Sequence, residues 1–239
     1  MTDVLNQTLG SIFAANSAFY AERGFERRVG FGTSPALIII DMANGWTQPG
    51  SPFSCSGMET VIPANQALLA AFRARGLPIV FTTTAYDVTA GSASDMGLWA
   101  RKVPLEAMKT GSWEAEIDAA LAPRDGEFVI LKKRASAFHG TPLSSLLKAI
   151  GVDTVVLTGV TASACVRHST EDAMAEGFRP IVVREAVGDR ITGCHRLEPV
   201  RHRRKIRRCG AAGPRAGLSG GERKFGGHQM IRSRKPLSD

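Results

Sequence analysis

DTVVLTGVTASACVRHSTEDAMAEG, residues Asp153 to Gly177, is the stretch on which the reading of the chain turns. Thr154 to Thr158 is a short apolar, β-branched run of the kind that becomes a strand buried on both faces. Gly159 interrupts the run. From about Ser163 the residues favour helix, and Gly177 is a natural stop. The stretch therefore predicts strand, tight turn and helix, with Cys165 in the first helical turn. A thiol there faces unpaired backbone N–H groups and the positive end of the helix dipole, which favour the thiolate. The same N–H groups suit a developing oxyanion. Taken alone, Cys165 reads more readily as a small buried apolar residue, and its company elsewhere in the chain shifts that balance.

Working outward, strands alternate with helices from residue 36 to 184. Ala36 to Ile40 is a continuous apolar run ending at Asp41, the pattern of a central parallel strand. Met42 to Met58 reads as loop. A helix is expected from Thr60, with an early Pro63, to Arg75, stopped by Gly76. Leu77–Thr83 and Glu127–Leu131 read as further strands, and Trp113–Leu121 as a short helix. Thr84 to Ser112 is a long irregular segment of the sort that serves as a lid or binding loop. Thr141-Pro142 caps and starts a helix to about Ile150. Arg179–Arg184 is the fifth strand. The alternation predicts an α/β fold, a doubly wound, mostly parallel sheet flanked by helices with right-handed crossovers. In such sheets ligands bind outside the carboxyl ends of the strands. Asp41, Lys132 and the Cys165 turn all fall there.

Those three side chains make chemical sense together. The carboxylate can take the thiol proton and deliver it to a leaving amine. The ammonium can stabilise a thiolate and hold the carboxylate in place. His139 and His168 are further candidate bases, although His168, three residues past Cys165, is placed to cap or pack. Trp46, Phe53 and Trp99 are available as pocket walls or as loop packing. No His cluster has metal-ligand spacing, so neither a metal nor another cofactor is expected.

The chain has 239 residues, enough for one sizeable core, and its 44% hydrophobic and 22% charged content is that of an ordinary globular protein. No apolar run reaches membrane-span length and no signal pattern opens the chain, so a cytoplasmic location without membrane contact is the expectation. The four cysteines, Cys55, Cys165, Cys194 and Cys209, form no C-x-x-C pair and read as free thiols. The net charge of +8 hints at nucleic acid only until it is located. Residues 191–239 carry 13 Lys+Arg against 3 Asp+Glu, whereas residues 1–190 carry 17 against 19. The expected domain is thus residues 1–190, opened by a helical arm over about Gln7–Arg27 that points to a homo-oligomer, a tetramer being one such assembly.

The chain resembles the isochorismatase-like cysteine hydrolases over about residues 28–190. The resemblance rests on Phe31-Gly-Thr-Ser-Pro-Ala-Leu-Ile-Ile-Ile-Asp41, Trp46-Thr-Gln-Pro-Gly50, Pro52-Phe-Ser-Cys55, Gly57-Met-Glu59, Asp95-Met-Gly-Leu-Trp99, Arg134-Ala-Ser-Ala-Phe138, Gly159-Val-Thr-Ala, Cys165-Val-Arg-His168 and Gly188-Asp-Arg190. It implies a catalytic triad of Cys165, Asp41 and Lys132. It also implies a cis peptide between Val160 and Thr161 that turns an N–H toward the oxyanion, and an arginine, Arg190, that grips a substrate carboxylate. The implied reaction is hydrolysis of a linear carbamoyl or amide C–N bond in a small carboxylate-bearing amide. N-carbamoylsarcosine is the favoured substrate and maleamate the rival. The metal-binding histidines of related nicotinamidases have no counterpart in Met42-Ala-Asn-Gly-Trp46.

After Ile191 the family pattern is lost. The tail is basic, Gly- and Arg-rich and without periodicity. Permitted codons allow His195 onward to be back-translated so that an adjacent frame reads Thr-Gly-Trp-Asn-Leu-Phe-Asp-Ile-Asp-Ala-Lys-Phe-Ala-Asp-Val, the family's usual ending. Residues 191–239 therefore read as a frameshifted, irregular tail that replaces a final helix and strand. The competing reading is an inactive member whose basic tail binds polyanions. The tail lacks the interleaved aromatics that nucleic-acid binding favours.

Overall fold

The structure is a computed structural model that describes residues 29–89, 92–93 and 97–191, together with Thr8, Ser11, Phe19 and residues 21–24. All of these fall within one unit, residues 1–208. The tail beyond residue 191, Asp95 and most of the N-terminal arm lie outside the described residues.

Strand β1 (Pro35–Ile40) is the centre of the molecule. Its side chains alternate between two apolar layers. Ala36, Ile38 and Ile40 face one layer with Val80, Val155 and Leu157, while Leu37 and Ile39 face the other with Phe81 and Val156. A strand buried on both faces has no use for polar alternation, which is why the run is continuously apolar. A short helix α1 (Asn44–Thr47) follows, then α2 (Met58–Arg73). Strand β2 (Ile79–Thr84) comes next, and two-residue strands β3 (Val88–Thr89) and β4 (Ser92–Ala93) pair antiparallel beside it in sequence. Strand β5 (Phe128–Lys132), helix α3 (Leu143–Ala149), strand β6 (Thr154–Val160), helix α4 (Arg167–Ala175) and strand β7 (Arg179–Gly188) complete the described chain.

The main sheet is five-stranded and parallel throughout, in the order β5-β2-β1-β6-β7. Helix α2 covers one face through Met58, Val61 and Leu69; α3 covers the other through Leu143 and Leu147. This is the expected doubly wound architecture. From β1 the chain builds outward to β2 and β5, then crosses over to β6 and β7. The order reverses between β1 and β6, and a crevice opens at the carboxyl ends of those strands.

Three expectations need correction. Met42–Met58 is not all loop, since α1 lies within it. Trp113–Leu121 is not one helix but two 3₁₀ turns, Trp113–Ala115 and Ala119–Leu121. Ile117 between them bridges to Ala43, and Asp118 accepts the Ala120 N–H at 2.9 Å and the Thr47 hydroxyl. A side chain that captures backbone and hydroxyl donors in this way competes with helix propagation. Finally, β7 continues past Arg184. The register shifts between Leu157 and Gly159, and Val187 and Gly188 then pair with Gly159 and Val160.

Gly159 is required at that shift. Its φ is +97°, and a Cβ there would stand 2.0 Å from the Ile40 carbonyl oxygen. Only a residue without a side chain lets β6 pass this close to the end of β1.

Candidate active site

Asp41 follows directly on β1, wholly buried, with φ of +52°. Aspartate is one of the few residues that tolerates this left-handed backbone. The turn aims the carboxylate back across the strand ends. Its N–H donates to the Thr82 carbonyl at 3.0 Å, and the Thr82 hydroxyl donates to Asp41 Oδ1 at 2.9 Å. Oδ2 meets Lys132 Nζ at 2.7 Å.

Lys132 is the last residue of β5 and is 1% exposed. Besides Asp41, its ammonium donates to the Thr84 hydroxyl at 2.9 Å and to the Arg134 carbonyl at 3.0 Å. It also donates to the Cys165 sulfur at 3.5 Å. Burial alone would pull the lysine pKa down, but the Asp41 charge and the sulfur raise it above its ordinary value. Lys132 therefore stays a cation and is not a base.

Cys165 departs from expectation. It sits not in the first turn of an α-helix but in a π-turn, Ala162–Val166, that precedes α4. The Thr161 carbonyl closes the turn by accepting the N–H groups of Ala164 (3.2 Å) and Val166 (3.0 Å). The surroundings of the sulfur also oppose the thiolate. Burial pushes the thiol up to about 12, and the Asp41 charge adds to this, against the lowering effect of Lys132. A proton must leave before this sulfur attacks. The Asp41 carboxylate, which hydrogen-bonds the thiol, is placed to take it.

The peptide between Val160 and Thr161 is cis. Val160 is buried in the core, while Thr161 lines the cavity above the sulfur. That cavity holds about 420 Å³. Lys132 and Cys165 form part of its floor, and Trp46, Phe53, Trp99 and Arg190 are in its wall. Trp46 and Phe53 pack with ring centroids 4.7 Å apart, and the Arg190 guanidinium lies 5.9 Å from the Trp46 ring centre. The sequence-derived site residues are thus brought together around one crevice, with Asp41 just behind its floor. Trp46 Nε1 and Thr161 Oγ1 are buried without a hydrogen-bond partner among the described residues. Such groups cost about 1–3 kcal/mol each unless a partner reaches them.

His168 stands apart from the chemistry, its Nδ1 2.7 Å from the Ala164 carbonyl, and His139 is exposed. Sequence reasoning missed Thr82, Thr84 and Asp189. The two threonines lie two residues apart on β2, so they share a face. Polar residues repeating at that spacing inside a buried strand were the available signal.

The isochorismatase domain model matches residues 35–205. The chain is 52% identical to an N-carbamoylsarcosine amidase of an Arthrobacter species over 192 residues, covering 79% of this chain and 72% of that protein. It is 45% identical to a maleamate amidohydrolase of Pseudomonas putida, covering 71% and 79%. Among solved structures, an N-carbamoylsarcosine amidase from Thermoplasma acidophilum is 32% identical with a TM-score of 0.62, covering 74% of this chain and 96% of that one. An isochorismatase-like hydrolase from Alkaliphilus metalliredigens is 29% identical with a TM-score of 0.66, covering 73% and 93%. With the domain model covering residues 35–205 and this extent of identity, the chain belongs to the isochorismatase family of hydrolases.

Proposed function

We propose that this protein is a cysteine-dependent amidohydrolase that converts N-carbamoylsarcosine and water to sarcosine, carbon dioxide and ammonia. The observation that carries the reading is the sulfur of Cys165 on the cavity floor, 3.5 Å from an ammonium that is itself 2.7 Å from a buried carboxylate. Asp41 takes the thiol proton as Cys165 attacks the carbamoyl carbon. The N–H groups of Thr161 and Cys165 receive the oxyanion. Asp41 returns its proton to the departing amine, ammonia leaves, and a thiocarbamate remains on the sulfur. Asp41 then deprotonates the incoming water and passes that proton to the sulfur as the carbon–sulfur bond breaks, and the released N-carboxy compound loses carbon dioxide to give sarcosine. Arg190 holds the substrate carboxylate in a bidentate grip beside Trp46, Phe53 and Trp99.

A second substrate, maleamate, is favoured by the 45% identity to a maleamate amidohydrolase. It too carries one carboxylate and one primary amide. Ammonia release from each compound tests both readings. The expected outcome is turnover of N-carbamoylsarcosine above maleamate, abolished in Cys165→Ser. Equal ammonia release from wild type and Cys165→Ser would refute the nucleophile.

The proposal extends to a homo-oligomer in the cytoplasm, its assembly supported by the apolar residues of the N-terminal arm. Among the described residues no helix is long and apolar enough to cross a membrane. Light scattering on the purified protein reads the subunit number. We also propose that residues 191–239 are an out-of-frame tail, supported by the abrupt change of charge and periodicity at Ile191. Resequencing the gene decides this, and an uninterrupted frame would rule it out.

A further inference from the structure

Asp189 takes no part in the reaction above, yet it is a carboxylate only 1% exposed. Among the described residues no cation pairs with it. Its partners are backbone groups from two strand ends. Oδ2 accepts the N–H of Ser163 at 2.7 Å, and Oδ1 accepts the N–H of Arg190 at 2.7 Å. Its own carbonyl accepts the Ser56 N–H at 3.0 Å and the Ser56 hydroxyl at 3.2 Å.

The placement of those three partners is informative. Ser163 lies in the π-turn between Thr161 and Cys165, the residues that carry the oxyanion donors and the nucleophile. Arg190 stands in the cavity wall. Ser56 belongs to the segment that also supplies Phe53 to that wall, and Cys55 beside it donates its N–H to the Trp46 carbonyl. A buried carboxylate is costly unless its lone pairs are filled. Here both filled lone pairs go to the turn and the wall of the site rather than to the core. A neutral side chain cannot do the same job. An amide has one oxygen, so it accepts well from only one of the two N–H groups and turns an NH₂ against the other.

We infer that Asp189 is a positioning residue that couples the grip on the substrate carboxylate at Arg190 to the alignment of the Thr161–Cys165 turn. The inference rests on the reading of Arg190 as that grip. When Arg190 is pulled toward a carboxylate, its backbone N–H moves Asp189, and Asp189 carries the displacement to Ser163. Recognition at one end of the cavity thereby sets the geometry at the other.

The test uses two reagents with the same reactive carbon, iodoacetate and iodoacetamide, of which only the first carries a carboxylate. Alkylation of Cys165 is followed by peptide mass in the full chain and in Arg190→Ala, Asp189→Asn and the double variant. Wild type is expected to prefer iodoacetate about ten-fold over the preference of free cysteine, the size of one charge-assisted contact. Arg190→Ala abolishes the preference, Asp189→Asn removes most of it although Arg190 is intact, and the double variant loses no more than Arg190→Ala. A preference unchanged in Asp189→Asn but lost in Arg190→Ala overturns the coupling and leaves the grip standing. A preference that survives Arg190→Ala overturns both. Multiplicative losses in the double variant show independent action and also overturn the coupling.

Should Asp189→Asn not fold, wild-type protein still decides. Titration with N-methylglycine is expected to shift the amide proton signals of Arg190 and Ser163 together. Movement of the Arg190 signal alone refutes the inference.

Discussion

At the amino end of the sheet, Asp153 accepts the N–H groups of Thr33 at 2.7 Å and Ser34 at 3.1 Å, and the Thr154 hydroxyl at 2.7 Å. At the carboxyl end, Asp41 meets an ammonium and a hydroxyl. Both carboxylates sit where a strand begins or ends, and both are well partnered. Their partners differ in kind. Those of Asp153 are two backbone N–H groups and neutral threonine hydroxyls close to water, and they stitch the lead-in of β1 to the start of β6. Those of Asp41 are side chains sealed beneath a cavity, in strained backbone, one of them an ammonium 2.7 Å from Oδ2. The first arrangement stabilises a chain crossing. The second stores paired charge at a place where it is costly, and so it is the end suited to chemistry.

Removing one charge at the carboxyl end should give the largest effect. Lys132→Met leaves the Asp41 carboxylate buried and unpaired, which costs about 3–5 kcal/mol of stability as well as the activity. Adding Asp41→Asn to that variant should restore much of the stability and none of the turnover, because a neutral pair needs no counter-ion. Denaturant unfolding checks both. A single variant as stable as wild type would mean that the pair is not sealed from water.

An intermediate effect is expected on the alkaline side. The folded Cys165 thiol is pushed up to about 12 from its ordinary 9.0, chiefly by burial. The folded protein therefore keeps a proton that the unfolded chain loses first. Its contribution to stability is complete below pH 9.0 and is lost as pH rises toward 12. Cys165→Ser should flatten this alkaline decline in Tm. Cys55→Ser should flatten it further, since burial and then the Asp189 charge push that thiol to about 12 as well. Superimposable Tm–pH curves for wild type and the double serine variant would refute the shifts.

Much of this was legible in the residues. Ala36–Ile40 could be assigned to the centre of a parallel sheet because burial on both faces erases polar alternation. Asp41 and Lys132 were visible because a charge ending an apolar strand has to be explained. Other features depend on partners that no local pattern encodes. Asp118 breaks up residues 113–121 by binding Thr47 and Gln48, about 70 residues earlier in the chain. The return of β7 to the sheet depends on a register shift against β6. The π-turn at Cys165 differs from an α-turn by one residue of closure, and helix propensity does not register that. Asp189 was hidden because both of its carboxylate partners are backbone N–H groups, which every residue but proline possesses.

The smallest effect belongs to the amino end and tests the contrast most sharply. Hydrogen bonds from Thr33, then Thr154, with Ser34 also contributing, hold the Asp153 carboxyl down at about 2, against an ordinary 3.8. A depressed folded pKa adds stability above the unfolded value and loses it as pH falls through the folded one. Asp153→Asn should therefore lower Tm slightly at neutral pH and remove part of the decline between 3.8 and about 2. kcat/KM should stay at the wild-type value, because Asp153 stands at the opposite end of β6 from the Cys165 turn. A loss of turnover without a loss of Tm would show that the amino end also steers the site, and the division between the two ends of the sheet would fail.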